Sequence, residues 1–472
     1  LYNDFTENCY VELGTSIDLT SYSGRDGGKG WKPYAINLCF DGKDYSISNL
    51  YINRPDESGV GLFSHNDADN TQSYIKNLRL KNVDICGKEK VGALVSETFG
   101  SDLENIIVDG EITYTTPIDG TVFIGGVIGE ISVGDTYADL TSNLIIRVIP
   151  TSIASNSEIH IGQIFGSNQA SGMPMSGFRS KGRTLFINDS RTTYTLYLGG
   201  IIGSDGTGTS YSDCVSKGSI MIDSKVITSN TNFQCIGGFI GSDGAGCTFN
   251  ACLANSKYDI TANNLTKTGF GNINYAYFGG FIGADLAGST LSECASIISG
   301  RLIGNNISIG SFIGCDLAGV TISDCYGIGR LECNGESGGF IGTDLVGGTY
   351  TRVISIFSGH GYSTAGGFLH DDYAGSIACT DCFWNNSLDQ NVSSTYENFT
   401  TSPESFNQPI TGVTPLSSSA LRTVSNITNY DFDTTWQQNS RINKGFPSLR
   451  NIDYPRVDQG LVKNVIIGMA GK

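Results

Sequence analysis

The sequence predicts an all-β fold, a parallel β-solenoid (β-helix) of about ten rungs with a cap at each end. Three observations predict it: a glycine-rich block that recurs along the chain, strand-like alternation inside each repeat, and a composition that suits turns. Only 16% of the 472 residues are charged, and 62 are glycine. Such a chain favours many short strands joined by turns over long helices.

The recurring block reads "GGFIG" in its commonest form. Successive copies stand 28 to 42 residues apart, a range typical of solenoids and propellers. The variable spacing favours the solenoid, because each solenoid turn contacts only its neighbours and tolerates insertions in its loops. The ten copies begin at Val60, Val91, Gly125, Gly162, Gly199, Gly237, Gly279, Gly310, Gly338 and Gly366.

A triplet of hydroxyl, apolar and hydroxyl-or-amide residues follows the block in five consecutive repeats. Its alternation of period two predicts a half-buried strand. The triplets begin at Ser210, Thr248, Thr290, Thr321 and Thr349. Small apolar residues come next, and we expect them to point inward and stack as a column of buried thiols, with one or two vertical disulfides as an open alternative. This column is Cys214, Cys252, Cys294, Cys325 and Val353.

The chain divides into three parts on this interpretation. Residues 1–58 form an N-terminal cap with the first strands, residues 59–378 form the repeats, and residues 379–472 form a C-terminal cap and tail. A short helix is predicted around "SSSALRTV" in the last part. Caps are expected because the first and last rungs would otherwise expose strand edges that recruit other chains.

Several segments carry a resemblance to a known family. These are residues 17–64, "IDLTSYSGRDGGKGWKPYAINLCFDGKDYSISNLYINRPDESGVGLFS", the "GGFIG" blocks, and the C-terminal "CFWNNS" and "TTWQQNSRINKGFPSL". Together they resemble the GLUG-motif repeat proteins of microbial surfaces. The resemblance implies a secreted or cell-surface β-solenoid, adhesin-like in some members, with no catalytic residues to transfer. This chain departs from the usual pattern in its aspartates and its many cysteines.

An aspartate stands six residues after the first glycine of six consecutive blocks. The residues are Asp205, Asp243, Asp285, Asp316, Asp344 and Asp372. Each carboxylate could accept hydrogen bonds from the turn that follows, as in an Asx-turn. Alternatively the column could bind Ca²⁺, the one cofactor that the sequence suggests, through carboxylates and backbone carbonyls. The turn interpretation is favoured, and nothing resembles a calcium-binding nonapeptide repeat.

Cysteines and glycosylation sequons give further candidate sites. The thirteen cysteines are an odd number, so at least one thiol is free or pairs between chains. The disulfide candidates are Cys9 with Cys39, and Cys379 and Cys382 of "CTDC". Seven Asn-x-Ser/Thr sequons are glycosylation candidates if the source glycosylates its proteins. They are Asn188, Asn264, Asn306, Asn385, Asn391, Asn398 and Asn426.

Charge and hydropathy limit the partners. The net charge of −17, with no basic stripe evident in the sequence, disfavours nucleic acid. No apolar run reaches the eighteen or so residues of a membrane helix, so no membrane insertion is expected. Leu1 is not an initiator methionine, so we expect a processed N-terminus and an extracellular or cell-surface chain.

These observations predict a non-enzymatic extracellular protein, structural or adhesive, and a candidate subunit of a surface filament. Its expected partners are other surface proteins, glycans or copies of itself joined end to end. The alternative is a β-helix that binds or degrades polysaccharide in a groove. A ladder of equivalent acids, however, lacks the asymmetry of a glycosidase pair. A minor alternative is ice binding by the outward Thr/Ser columns.

Overall fold

A computed structural model gives the structure of the chain. The described residues are 9–67, 73–134, 136–170, 173–189, 192–224, 233–262, 276–304, 307–333, 336–360, 365–372, 376–387, 410–440, 442–452 and 454. The fold is all-β with parallel strands in two large sheets, as the sequence predicts. Described helices are single turns: Arg25–Gly28 and Ser418–Leu421 are α-helical, and Thr20–Tyr22, Val424–Asn426 and Asn443–Gly445 are 3₁₀. The helix predicted around "SSSALRTV" is thus confirmed.

The smaller of the two parallel sheets has eleven strands. They are Tyr34–Ile36, Phe63–Asp67, Val95–Phe99, Ile128–Val133, Phe165–Asn168, Ile202–Asp205, Ile240–Asp243, Ile282–Asp285, Ile313–Asp316, Ile341–Asp344 and Leu369–Asp372. Ten of them belong to the glycine-rich blocks. The eleventh, Tyr34–Ile36, lies in the predicted N-terminal cap and pairs with Phe63–Asp67, so the stack begins earlier than the blocks do.

The larger sheet has thirty strands, which come from the rest of each repeat. They are Cys9–Glu12, Ile17–Asp18, Leu38–Asp41, Ser46–Ser48, Tyr51–Val60, Ser73–Gly92, Ser101–Tyr114, Thr121–Gly125, Tyr137–Val148, Ser157–Gly162, Pro174–Ser176, Arg179–Ser180, Arg183–Asn188, Tyr194–Gly199, Ser210–Ser212, Val215–Ser224, Gln234–Gly237, Thr248–Asn250, Leu253–Ala262, Ala276–Gly279, Thr290–Ser292, Ala295–Gly304, Ile307–Gly310, Thr321–Cys333, Glu336–Gly338, Thr349–His360, Ala365–Gly366, Ala378–Thr380, Cys382–Asn385 and Val413–Leu416.

Each repeat makes one coil of chain, which lies on the coil before it. In the coil of residues 234–262, Gln234–Gly237 pairs with Ala276–Gly279 of the next coil, and Ile240–Asp243 pairs with Ile282–Asp285. The triplet Thr248–Asn250 pairs in the same way with Thr290–Ser292. Every residue in these strands therefore lies over its equivalent in the neighbouring coil.

Two glycines of the "GGFIG" block allow a tight corner between the sheets. A Cβ atom on Gly237 would lie 1.9 Å from the carbonyl oxygen of Ile240. A Cβ atom on Gly241 would lie 2.5 Å from the carbonyl oxygen of Gly203 in the preceding coil. Real Cβ atoms do not approach backbone so closely, so glycine is required where two strands meet at such short range.

The phenylalanine of the block points into the core and stacks on its equivalents. Ring centroids of Phe239 and Phe281 are 4.8 Å apart, and those of Phe281 and Phe312 are 5.1 Å apart. Phe340 and Phe368 continue the ladder at 4.6 and 5.6 Å. Because these residues belong to one buried cluster that spans the coils, the core is continuous along the stack.

The predicted triplet strands are confirmed. Thr248 and Asn250 are exposed on either side of buried Phe249. The chain then turns through one residue in the left-handed region, which is Ala251 in this coil, at φ 52°. Its equivalents Asp213, Glu293, Asp324, Arg352 and Asp381 have φ between 50° and 54°. This corner directs the next residue, Cys252, into the core.

The described residues of the predicted C-terminal cap lie in two places. Cys382–Asn385 and Val413–Leu416 still continue the larger sheet beyond the expected boundary at residue 379. The segment from residue 417 to residue 454, here called the strap, instead packs along the side of the coils. It contributes Leu421, Ile427, Tyr430, Trp436, Phe446, Leu449 and Ile452 to a second core outside the first.

The strap follows a column of outward apolar residues. Val215, Leu253, Ala295, Tyr326, Ile354 and Phe383 stand on six consecutive coils and belong to the same cluster as the strap. Polar anchors fix it: Trp436 Nε1 donates to Asp324 Oδ1 at 2.9 Å, and the Tyr326 and Tyr454 hydroxyls are 2.6 Å apart. The strands under the strap are therefore buried on both faces, which explains their near-continuous apolar runs.

Removing one ring from the phenylalanine ladder is expected to destabilise the whole stack. Phe281→Ala removes the ring contacts with Phe239 and Phe312 and leaves a cavity in a fully buried position. Such a change costs about 3–5 kcal/mol of folding free energy. Guanidinium unfolding followed by circular dichroism should show the lower midpoint. Leu286→Ala, five residues away and 42% exposed, is the matched control and should leave the midpoint nearly unchanged. Equal midpoints for the two variants would contradict the ladder's role.

Candidate functional site

The aspartate column is buried, and its carboxylates hold the turns that follow them. Asp243 Oδ1 accepts from the backbone N–H groups of Ala245 and Gly246, both at 3.0 Å, and Oδ2 accepts from Cys247 at 2.6 Å. The same three bonds recur in later coils. Asp285 makes them at 3.3, 3.1 and 3.0 Å, Asp316 at 3.0, 2.8 and 2.8 Å, and Asp344 at 3.0, 2.6 and 3.1 Å.

The turn has its own glycine. Gly246 has φ 75°, and its equivalents in the neighbouring coils are also in the left-handed region. The unit is therefore Asp-x-x-Gly, in which the aspartate replaces the missing hydrogen-bond partners of a tight bend. The Asx-turn interpretation of the column is confirmed for Asp243, Asp285, Asp316 and Asp344. The strand of Asp372 pairs with that of Asp344, but its side chain lies outside the described residues.

The two ends of the column differ from its middle. Asp205 accepts from the Tyr211 hydroxyl at 2.6 Å and from Asn168 Nδ2 at 3.1 Å. Asn168 occupies the aspartate position of the preceding coil, so an amide donates where a second carboxylate would repel. In the last coil whose aspartate side chain is described, the Tyr350 hydroxyl donates to Asp344 Oδ2 at 3.1 Å. Neutral donors thus bind the first and the last described carboxylates of the column.

Stacking places the middle carboxylates close to one another in a dry environment. Burial, with the neighbouring charges of Asp243 and Asp316, raises the pKa of Asp285 to about 7. Burial and Asp316 also raise the pKa of Asp344. The Ser289 hydroxyl lies between two coils, within hydrogen-bonding distance of the carboxylates of both Asp243 and Asp285. Protonation and hydrogen bonding therefore offset the like-charge repulsion.

These residues do not fit a row of calcium ions. Calcium needs six to eight oxygen ligands with lone pairs turned toward the ion, whereas these carboxylate oxygens face N–H and O–H donors of their own turns. Within the ranges given above, no group of three or more His, Cys, Asp or Glu side chains is placed to hold a metal ion. The geometry thus favours turns over cations.

The cysteine column is buried as expected. Cys214, Cys252, Cys294 and Cys325 are each 0% exposed, and Cys382 continues the column beyond Val353. The twelve cysteines whose side chains are described form no disulfide with one another, so the vertical disulfides left open by the sequence do not form among them. Burial raises the pKa of Cys214, Cys252 and Cys294 well above the usual range of a thiol. They are therefore poor nucleophiles.

The disulfides predicted for Cys9 with Cys39 and for Cys379 with Cys382 do not form in this structure. Cys9 pairs with Leu38 and Cys39 with Tyr10, so the two cysteines are one position out of register. Adjacent positions of a strand point to opposite faces, which separates the sulfur atoms. Cys379 and Cys382 flank the corner at Asp381, and a hydrogen bond with Cys379 lowers the pKa of Cys382.

Three of the seven sequons fall within the described residues. Asn188 is 1% exposed and Asn385 is 5% exposed. Asn385 also donates to Ser418 Oγ at 3.0 Å. Burial makes both unsuitable as glycosylation acceptors in the folded protein. Asn426 is exposed in the strap and stays a candidate. Asn264, Asn306, Asn391 and Asn398 lie outside the described residues.

The structure assembles one charged feature that the sequence alone did not suggest. A recess of about 350 Å³ lies on the outer face of the long strands and is lined by Lys181, Arg183, Lys217 and Lys257. The four cations come from three successive coils and are up to 76 residues apart in sequence. A linear scan for a basic stripe misses them, because stacking and not sequence proximity brings them together.

Comparisons with known proteins give little more. No family model matches the chain. Halomucin from Haloquadratum walsbyi is 35% identical to it over 127 residues, which are 26% of this chain and 1% of halomucin. The crystal structure of "a putative immunoglobulin A1 protease from Bacteroides ovatus" aligns with 94% of this chain and 87% of that chain, at 11% identity and a TM-score of 0.26, too low to support an argument. None of the helices in the described part of the chain is long and apolar enough to cross a membrane.

Neutralising one buried carboxylate is expected to change how stability depends on pH. The folded pKa of Asp285, about 7 against an ordinary value of 3.8, means that the folded state holds a proton that the unfolded state has lost between these pH values. The contribution of Asp285 to wild-type stability therefore falls as pH rises from about 4 to about 7. Asp285→Asn removes this loss, so the variant should gain on the order of 1–4 kcal/mol relative to wild type between pH 4 and pH 8.

The readout is the pH dependence of the difference in stability, measured by thermal unfolding at pH 4 to 8. The difference in stability between Asp285→Asn and wild type also includes the loss of the acceptor for the Ser289 N–H. This part of the difference is the same at every pH. Asp259→Asn, at an exposed position of a long strand, is the control and should show no such trend. A pH-independent difference for Asp285→Asn would contradict the raised pKa.

Cysteines of the buried cysteine column should be less reactive in the native protein than cysteines that are partly exposed. Iodoacetamide applied to the native protein should modify Cys379, which is partly exposed, and leave Cys252 and Cys294 unmodified. In guanidinium all three should react, since unfolding restores access and an ordinary pKa. Peptide mass spectrometry reads each site separately. Rapid modification of Cys294 in the native state would show that the column is not closed to solvent.

Proposed function

We propose that this chain is a non-enzymatic structural element of an extracellular or cell-surface assembly. In this proposal the chain is a β-solenoid similar to the GLUG-motif repeat proteins, and its function depends on length, rigidity and exposed faces. The single observation that carries the proposal is the uninterrupted stack. Eleven strands follow one another in one parallel sheet over a continuous core.

The stack sets a minimum length for such a spacer. Eleven strands at about 4.8 Å per coil extend roughly 50 Å along the axis. Each coil is hydrogen-bonded to the next along both sheets, and the strap packs into an apolar cluster that includes residues of six coils. A load along the chain would therefore be shared between backbone hydrogen bonds and two apolar cores.

The chemically active residue types are used inside the stack, which favours a structural over a catalytic function. The described aspartates of the column bind their own turns, and the stacked thiols are buried. Buried thiols are also protected from oxidants, so free cysteines are compatible with an extracellular location. The outward Thr/Ser columns are too short and too interrupted, at Asn250 for example, to favour ice binding, which stays an untested alternative.

Particle shape and turnover test this proposal. Electron microscopy of the purified chain should show rods at least roughly 50 Å long, which join end to end if the chain is a filament subunit. Incubation with polysaccharides, peptides and esters should release no product. Release of product at a rate that one point substitution abolishes would contradict the non-enzymatic proposal, and compact spheres would contradict the spacer.

A further inference from the structure

The basic recess concentrates positive charge on the surface of an acidic chain. It is lined by two groups of residues on neighbouring coils, cations and neutral residues. The cations are Lys181, Arg183, Lys217 and Lys257, and the neutral residues are Asn143, Leu144, Ile145, Gly182, Gly218 and Ser219. None of these ten residues is acidic, although the whole chain carries a net charge of −17.

The strand register places like charges side by side. Ser180 pairs with Ser216 and Arg183 with Ser219, so Lys181 on the intervening position lies opposite Lys217. Ser219 in turn pairs with Lys257. Cross-strand neighbours are about 5 Å apart, and like charges directly opposite each other are destabilising. Burial and the charge of Lys181 lower the pKa of Lys217, which reflects the same repulsion.

Acidic residues stand on these and the preceding strands but do not line the recess. Asp259 stands two residues beyond Lys257, Asp109 pairs with Asn143, and Glu111, which is bound by Arg147 at 2.5 Å, pairs with Ile145. Val215 and Leu253, which precede Lys217 and Lys257 on the same strands, belong to the apolar cluster that includes the strap. An arrangement that concentrates like charge in a concave site is typical of a site that binds the opposite charge.

We propose that this recess binds the carboxylate or sulfate groups of an acidic polysaccharide. Lysine ammonium and arginine guanidinium groups would bind the oxyanions, while Asn143 and Ser219 would hydrogen-bond sugar hydroxyls. No aromatic ring lines the recess, and stacking on such rings is how proteins bind single-stranded nucleic acids. The volume of about 350 Å³ suits one or two sugar residues, at the lower end of ligand sites. The site goes beyond the proposed function and does not depend on it.

Neutralising the two opposed lysines tests the site in the full chain. Wild type and Lys181→Gln/Lys217→Gln are titrated at low ionic strength with fluorescent polygalacturonate, dextran sulfate and neutral dextran, and anisotropy is recorded. Wild type should bind both acidic polymers and not neutral dextran. The double variant should bind them at least tenfold more weakly. Added salt should weaken wild-type binding, because the contacts are ionic.

A matched control separates the site from overall charge. Lys32→Gln/Lys81→Gln removes the same two charges from exposed positions elsewhere and should bind like wild type. Arg183→Gln, at an exposed position of the recess, is a second test should the double variant be unstable, and it should also weaken binding.

Three results would overturn the proposal. The first is equal weakening in the recess and control double variants, which would indicate a nonspecific charge effect. The second is binding of inorganic sulfate at the recess without binding of either acidic polymer, which would indicate a small-anion site. The third is single-stranded DNA that competes at the recess as strongly as the acidic polymers, which would indicate a general polyanion surface. A chain that binds no polymer but still forms rods would leave the proposed structural function intact.

Discussion

The in-register hydrogen bonding of each coil to the next is the constraint on which the rest of this structure depends. Because the same residue recurs at the same point of successive coils, every side chain has its own equivalent roughly 4.8 Å above and below. Apolar columns gain from this repetition, as the phenylalanine ladder shows. Charged columns are destabilised by like-charge repulsion unless hydrogen bonds, protonation or a counter-charge offset it.

The aspartate column and the basic recess differ in how the repulsion between like charges is offset. In the aspartate column the carboxylates are inside, where turn N–H groups, the Ser289 hydroxyl and a pKa of about 7 at Asp285 offset the repulsion. In the basic recess the lysines are outside, where solvent or a ligand can supply the counter-charge. The same repetition thus yields a structural element in one place and a candidate binding surface in the other.

The strap extends this logic to the side of the stack. A solenoid strand with apolar residues on both faces would expose one of them, and exposed apolar columns recruit other chains. Here Trp436 and its neighbours cover that column, and Asp324 and Tyr326 anchor the cover through hydrogen bonds. Part of the segment that the sequence predicts as an end cap thus packs along the side of the coils, and Val413–Leu416 extends the larger sheet beyond residue 379.

The strands and corners within one coil follow from local patterns in the sequence. The "GGFIG" spacing, the hydroxyl triplets and the inward cysteines are local patterns whose period equals one coil, so strands, corners and columns could be read from them. Runs such as "CYGIG" and "VISIF" also carry the signal of strands buried on both faces, although they do not indicate which segment covers the outer face.

Which residues of different coils come together depends on the tertiary structure. The offset of Cys9 from Cys39, the burial of Asn188 and Asn385, the side on which the strap packs and the convergence of Lys181, Lys217 and Lys257 all depend on register between residues far apart in sequence. A one-residue shift reverses which face a side chain occupies. Variable loops separate the coils, so the spacing along the chain cannot fix that register, and the stacked hydrogen bonds do.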